Sequence, residues 1–139
     1  MRILLVEDQP SAVRLVREAL KENREGHHLS VAKDGEEAMA FLRRQGEYAQ
    51  ALRPDLILLD LSLPKKDGRE VLAEIKSDDA LKRIPVVILT VSDMEKDIIN
   101  AYNSYANSYV TKPIHLEGFI EIIKSIEDFW LNTVTLPPE

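Results

Sequence analysis

Apolar residues run unbroken through Ile3-Leu4-Leu5-Val6, Leu56-Ile57-Leu58-Leu59 and Val86-Val87-Ile88-Leu89. Runs of that length and composition are the pattern of strands buried on both faces of a sheet. Two weaker strands accompany them, one near 28–32 alternating Leu29 and Val31 with polar neighbours, and a short one over about 108–111. Helical spacing fills the intervals. Ala12, Val13, Val16, Ala19 and Leu20 predict a helix over about 10–23, and Ala38, Phe41 and Leu42 a second over about 36–45. Val71, Leu72 and Ile75 predict a third over about 69–77; Ile98, Ile99, Tyr102 and Tyr105 a fourth near 94–105; a fifth runs from about 116 to 130. Gly46 to Pro54 is a longer polar connection than such a unit requires, and Pro64-Lys65-Lys66-Asp67-Gly68 reads as a turn-rich loop.

Five βα units with short connections imply a mostly parallel sheet whose right-handed crossovers place helices on both faces. The weak second strand belongs at an edge, which favours the order 2-1-3-4-5. The expected fold class is therefore α/β: a doubly wound five-stranded parallel sheet in the flavodoxin-like three-layer α/β/α arrangement. Strand order reverses between strands one and three, so their carboxyl ends open a crevice.

Polar chemistry collects at that edge. The first strand ends in Glu7-Asp8, the third in Asp60, the fourth in Thr90, and the fifth leads into Thr111-Lys112-Pro113. Clustered carboxylates repel one another unless a cation neutralises them. Mg²⁺ typically takes one or two carboxylates and keeps several waters, so Glu7, Asp8 and Asp60 offer an incomplete shell with room for a phosphoryl oxygen. An aspartate can also act as a nucleophile and accept phosphate as an acyl phosphate. Lys112 offers a compact point charge to a second phosphoryl oxygen, and Thr90 a hydroxyl to a third.

Composition narrows the alternatives. The chain has 139 residues, which suits one domain, and its net charge of −6 argues against binding nucleic acid by counterion release. It contains no cysteine, hence no disulfide framework and no thiolate site. No apolar run reaches the length of a membrane span, and Met1-Arg2 leads straight into a strand without a signal-peptide pattern. A cytoplasmic protein with no membrane or nucleic-acid partner is expected.

These residues, in this order and spacing, resemble the receiver domain of two-component response regulators over residues 1–130. The match rests on Glu7-Asp8, Asp60 with Pro64 four residues on, Thr90, and Lys112-Pro113. The resemblance implies phosphoryl transfer from a sensor histidine kinase to Asp60, with no turnover of an external substrate. It implies Mg²⁺ or Mn²⁺ held by Asp8, Asp60 and the backbone carbonyl of Ser62, with Glu7 assisting through water. Thr90 and Lys112 then engage the phosphoryl group, Tyr109 is the aromatic that reports the switch, and the Lys112–Pro113 bond is cis. Val91 departs from the pattern, since the family usually has a smaller residue bordering access to the site. A narrower likeness, carried by Glu47-Tyr48, the segment Leu63–Leu72 and the tail Phe129–Pro137, is to the stand-alone, dimeric regulators of bacterial phytochrome kinases. Residues 131–139 are then an interface-forming tail.

Helix five supports that expectation with a wide apolar arc through Phe119, Ile123, Phe129 and Trp130. A homodimer through helix four, strand five, helix five and the tail follows, with Tyr102, Phe129 and Trp130 at its interface. Simpler readings exist for single residues. Asp8 or Ser11 suits a cap of the first helix, Lys65-Lys66 reads as a solvated loop, and His27, His28 and His115 lack metal-ligand spacing and read as surface residues. The chain has no G-x-x-x-x-G-K-[ST] loop, and Ser62 stands where an aspartate-based phosphatase needs its second acid. The remaining rival is an adaptor of the same fold that signals by constitutive binding without phosphorylation; the intact acid, Thr and Lys set argues against it.

Overall fold

The computed structural model describes residues 1–21 and 26–138. Five parallel strands, β1 (Arg2–Val6), β2 (His28–Ala32), β3 (Leu56–Leu59), β4 (Val86–Thr90) and β5 (Ser108–Thr111), form one sheet in the order β2-β1-β3-β4-β5. The order and the strand positions agree with the sequence expectation. Parallel register sets Val6 against Leu59, Leu59 against Ile88 and Ile88 against Tyr109, so the strands end together along one edge.

Alternation along each strand divides the core in two. Leu4, Val6, Ile57, Leu59, Val86 and Ile88 face α2 (Gly35–Leu42), α3 (Gly68–Ser77) and α4 (Glu95–Asn103), meeting Met39, Leu72 and Ala101. Ile3, Leu5, Leu56, Leu58, Val87 and Leu89 face α1 (Pro10–Lys21) and α5 (Leu116–Ile126), meeting Val16, Ala19, Phe119 and Ile123. Both faces are covered by apolar side chains, which is why the central strands need no polar alternation.

The structure differs from the sequence reading at helix ends. α2 stops at Leu42 because Arg44 turns to φ 55° and the amide of Gln45 donates back to the Ala40 carbonyl at 2.9 Å, a left-handed terminus made without glycine at that position. The long 46–54 connection is pinned, since Tyr48 Oη donates to Glu37 at 2.5 Å and its ring meets Phe41 edge-on. Lys66 is not simply solvated; its ammonium lies 2.5 Å from Glu74. α5 ends at Ile126, and the chain continues as a wider π-type winding from Glu127 to Thr133 that buries Glu127 and Leu131. Against the surface reading, the side chain of His27 is only 5% exposed and sits 3.1 Å from fully buried Glu127. The pairing joins residues 100 positions apart, so no local pattern announces it.

Candidate functional site at the carboxyl edge

The backbone fixes the acids before any side chain acts. The Asp60 amide donates to the Val6 carbonyl at 3.1 Å, and the Glu7 amide to Ala32 at 3.0 Å. The β1–β3 ladder thus runs one residue past β3 and holds Asp60 against the Glu7-Asp8 turn. Below it, Gly68 makes close approach possible. A Cβ at Gly68 would lie 2.0 Å from the Asp60 carbonyl oxygen, so only glycine lets α3 begin directly under the acid.

Glu7, Asp8 and Asp60 each bring a carboxylate oxygen within 4.8 Å of the others, a separation one small divalent cation can bridge. Lys112 donates to Glu7 Oε1 and, at 3.1 Å, to Asp60 Oδ2. Asp60 Oδ1 accepts the Ser62 amide at 3.2 Å, and Glu7 Oε2 the Gln9 amide at 3.3 Å. The first turn of α1 closes on the Gln9 carbonyl, which accepts the Val13 amide at 3.1 Å, and among the described residues no N–H of that turn is recorded donating to Asp8. Burial pushes Glu7 up to about 7, with the charge of Asp60 adding to the rise and Lys112 opposing it. Burial alone pulls Lys112 down, but its bond to Glu7 and the two carboxylate charges hold it above the ordinary lysine value. Three acids against one ammonium leave the cluster short of positive charge, and all-oxygen donors suit Mg²⁺ or Mn²⁺.

Thr90 is fully buried at the end of β4, on the strand next to Asp60, and its hydroxyl has no hydrogen-bond partner among the described residues. Leaving a buried hydroxyl unmade costs about 1–3 kcal/mol, which singles out the position as one awaiting an acceptor. Lys112 is drawn in by its own amide, which donates to the Thr90 carbonyl at 2.6 Å. Among the described residues no peptide bond is cis, so the Lys112–Pro113 bond is trans, contrary to expectation, and Lys112 reaches the carboxylates in that form. Tyr109 packs against the core, and its hydroxyl donates to the Ser92 carbonyl at 2.9 Å.

The remaining expected residues lie outside this knot. Val91 is 71% exposed at the rim beside Thr90. Tyr102 is 47% and Phe129 54% exposed, whereas Trp130 is half-buried against the core with its ring edge-on to Phe129. Two charged residues escaped the sequence reading. Asp97, in the first turn of α4, is buried and accepts from Ser92 Oγ at 2.6 Å and from Arg69 Nη2 at 2.9 Å. Amphipathic spacing gave no sign of this, because both partners come from other elements.

A sequence profile of the response regulator receiver domain matches residues 3–124. The response regulator Rcp1 of Synechocystis sp. is 56% identical over 97% of this chain and 92% of its own. The crystal structure of the Mn²⁺-bound form of Rcp1 superposes with a TM-score of 0.96, at 55% identity and with 99% of each chain covered. The phosphorylated cyanobacterial phytochrome response regulator RcpA does so with the same TM-score at 57% identity, over 99% of this chain and 98% of that one. With the sheet order, the acid cluster and these likenesses in agreement, the chain belongs to the receiver-domain response regulators of two-component signalling.

Proposed function

We propose that Asp60 accepts a phosphoryl group from a sensor histidine kinase, of the phytochrome type, and that the change is read on the face formed by α4, β5 and α5. The observation that carries this is the convergence of Asp60, Glu7, Asp8 and Lys112 beside the orphan hydroxyl of Thr90. An Asp60 carboxylate oxygen attacks the phosphorus of the kinase phosphohistidine. The P–N bond breaks, and its electron pair stays with the imidazole, which takes up a proton. Mg²⁺ or Mn²⁺ at this cluster would supply positive charge to offset that of the phosphoryl oxygens. Asp8 and Asp60, with the Ser62 carbonyl, are the residues to hold it, Glu7 acting through water. Lys112 and Thr90 then hold two further phosphoryl oxygens. The rival adaptor role separates cleanly by intact mass after incubation with acetyl phosphate and Mg²⁺. One added phosphoryl group supports the acceptor reading, and an unmodified chain that still binds its target supports the adaptor.

The rim residue sets the rate in this reading. A branched, exposed side chain at Val91 narrows approach for donor and for hydrolytic water alike. Val91→Ala should raise both the rate of phosphorylation by acetyl phosphate and the rate of phosphate loss by several-fold, followed by intact mass over time. Equal rates in the two proteins would remove Val91 from the access path.

The output face is apolar for a free surface. Tyr102, Tyr105, Leu116 and Phe129 are all exposed there or next to it, and such patches mark interaction sites. This exposure supports a homodimer joined through this face. Light scattering at micromolar concentration should give a dimer mass for the native chain and a monomer for Phe129→Glu; a monomeric native chain with and without phosphate would refute the pairing.

A further inference from the structure

Arg69, Asp97, Ser92 and Tyr109 form a continuous polar chain outside the phosphoacceptor knot. Arg69 Nη2 and Nε donate to Asp97 Oδ1 at 2.9 and 3.3 Å, and Ser92 Oγ donates to Asp97 Oδ2 at 2.6 Å. Ser92 Oγ also accepts the Met94 amide at 3.3 Å, and the Ser92 carbonyl accepts the Tyr109 hydroxyl at 2.9 Å. Its first two members are anchored. Arg69 follows Gly68, whose backbone lies against Asp60 with no room for a Cβ, and Asp67 holds the Arg69 amide at 3.1 Å. Asp97 is buried in the first turn of α4.

We propose that Arg69 and Asp97 are positioning residues of the switch: they hold the loop after β4 so that the Ser92 carbonyl keeps Tyr109 turned toward it. Asp97 fixes Ser92 through its hydroxyl, Arg69 fixes Asp97, and Arg69 is set by the segment that carries Asp60. This is a path from the phosphoacceptor to β5 that does not pass through Thr90. The bond from Tyr109 is already made with Thr90 unpartnered, so the chain preorganises the arrangement that a phosphoryl group completes. Because coupling is reciprocal, whatever holds Tyr109 in place must also tighten the site for the phosphoryl group.

The inference rests on the acceptor reading, and the two fail differently. The probe is beryllofluoride with Mg²⁺, a stand-in for the phosphoryl group, titrated into the full chain carrying 3-fluorotyrosine at position 109 and read by fluorine NMR. Asp97→Asn keeps the shape but removes one of the two carboxylates that hold the Arg69 guanidinium, leaving Asp67 at 3.1 Å. It should weaken beryllofluoride affinity by about fivefold or more and move the Tyr109 signal before any ligand is added. Arg69→Gln should do the same and Arg69→Lys restore part of it. The double variant should be no weaker than the worse single one, as expected for two residues acting through one contact. Arg69 is partly exposed, so its variants report even if Asp97→Asn folds poorly. Native affinity and an unmoved Tyr109 signal in the Arg69 variants would overturn the inference while leaving the acceptor reading intact. A native chain that binds no beryllofluoride would overturn both.

Discussion

Asp60→Asn protein should gain no phosphoryl group from acetyl phosphate or a histidine kinase under conditions that fully modify the native chain. The amide is nearly the same size and can still accept the Ser62 amide, so the fold has no reason to change. What disappears is the nucleophile, since an amide oxygen carries no charge to donate to phosphorus, and one of the acidic oxygens that a divalent cation needs. Asp8→Asn removes only the second of these, and phosphorylation should slow without being abolished. Asp60→Asn also acts on Glu7, whose raised titration owes part of its rise to the Asp60 charge. Removing that charge relieves repulsion in a buried site, so urea midpoints of Asp60→Asn should equal or exceed the native value, the usual trade between a strained site and stability. Intact mass and peptide mapping decide the matter. A single phosphoryl group on Asp60→Asn protein, in the presence of Mg²⁺, would place the acceptor elsewhere.

That this site can be read from sequence has a physical cause. A buried parallel strand must be apolar along its whole length, so a charge ending the run is conspicuous, and topology alone places the ends of β1, β3, β4 and β5 side by side. Glu7, Asp8, Asp60 and Lys112 were legible for that reason, and the structure brings them together. What was not legible depends on pairs distant in sequence or on local backbone choices. Asp97 reads as an acidic residue near a helix start, a common and innocuous position; its partner Arg69 stands 28 residues away. Arg44 takes a left-handed conformation that its residue type does not advertise, which shortens α2. His27 looked like surface because its carboxylate partner lies beyond α5.

The C-terminal winding is the place where that blind spot has the largest energetic consequence. With ordinary helical spacing the fifth helix runs on to about residue 130, Phe129 and Trp130 continue its apolar arc, and Leu131 belongs to a tail beyond it. The wider π-type turn rotates the 127–133 segment instead, so that Leu131 enters the core formed by α1, α5 and the sheet, and Glu127 meets His27 at the start of β2. Val134 closes the winding by donating its amide to the Phe129 carbonyl at 2.8 Å. Leu131→Ala should therefore cost about 2–4 kcal/mol, the range for truncating a buried leucine, whereas a leucine on a frayed end would cost nothing measurable. Truncation after Ile126 should cost more, since it removes Trp130 and Leu131 from the core together and uncovers the His27 side chain that Glu127 lies against. For the same reason truncation tests assembly poorly: it damages the core and the output face at once, while Phe129→Glu alters an exposed side chain. Urea unfolding of the three proteins gives the answer. Equal midpoints for the native chain, Leu131→Ala and the truncated form would mean that residues 127–133 do not belong to the folded unit.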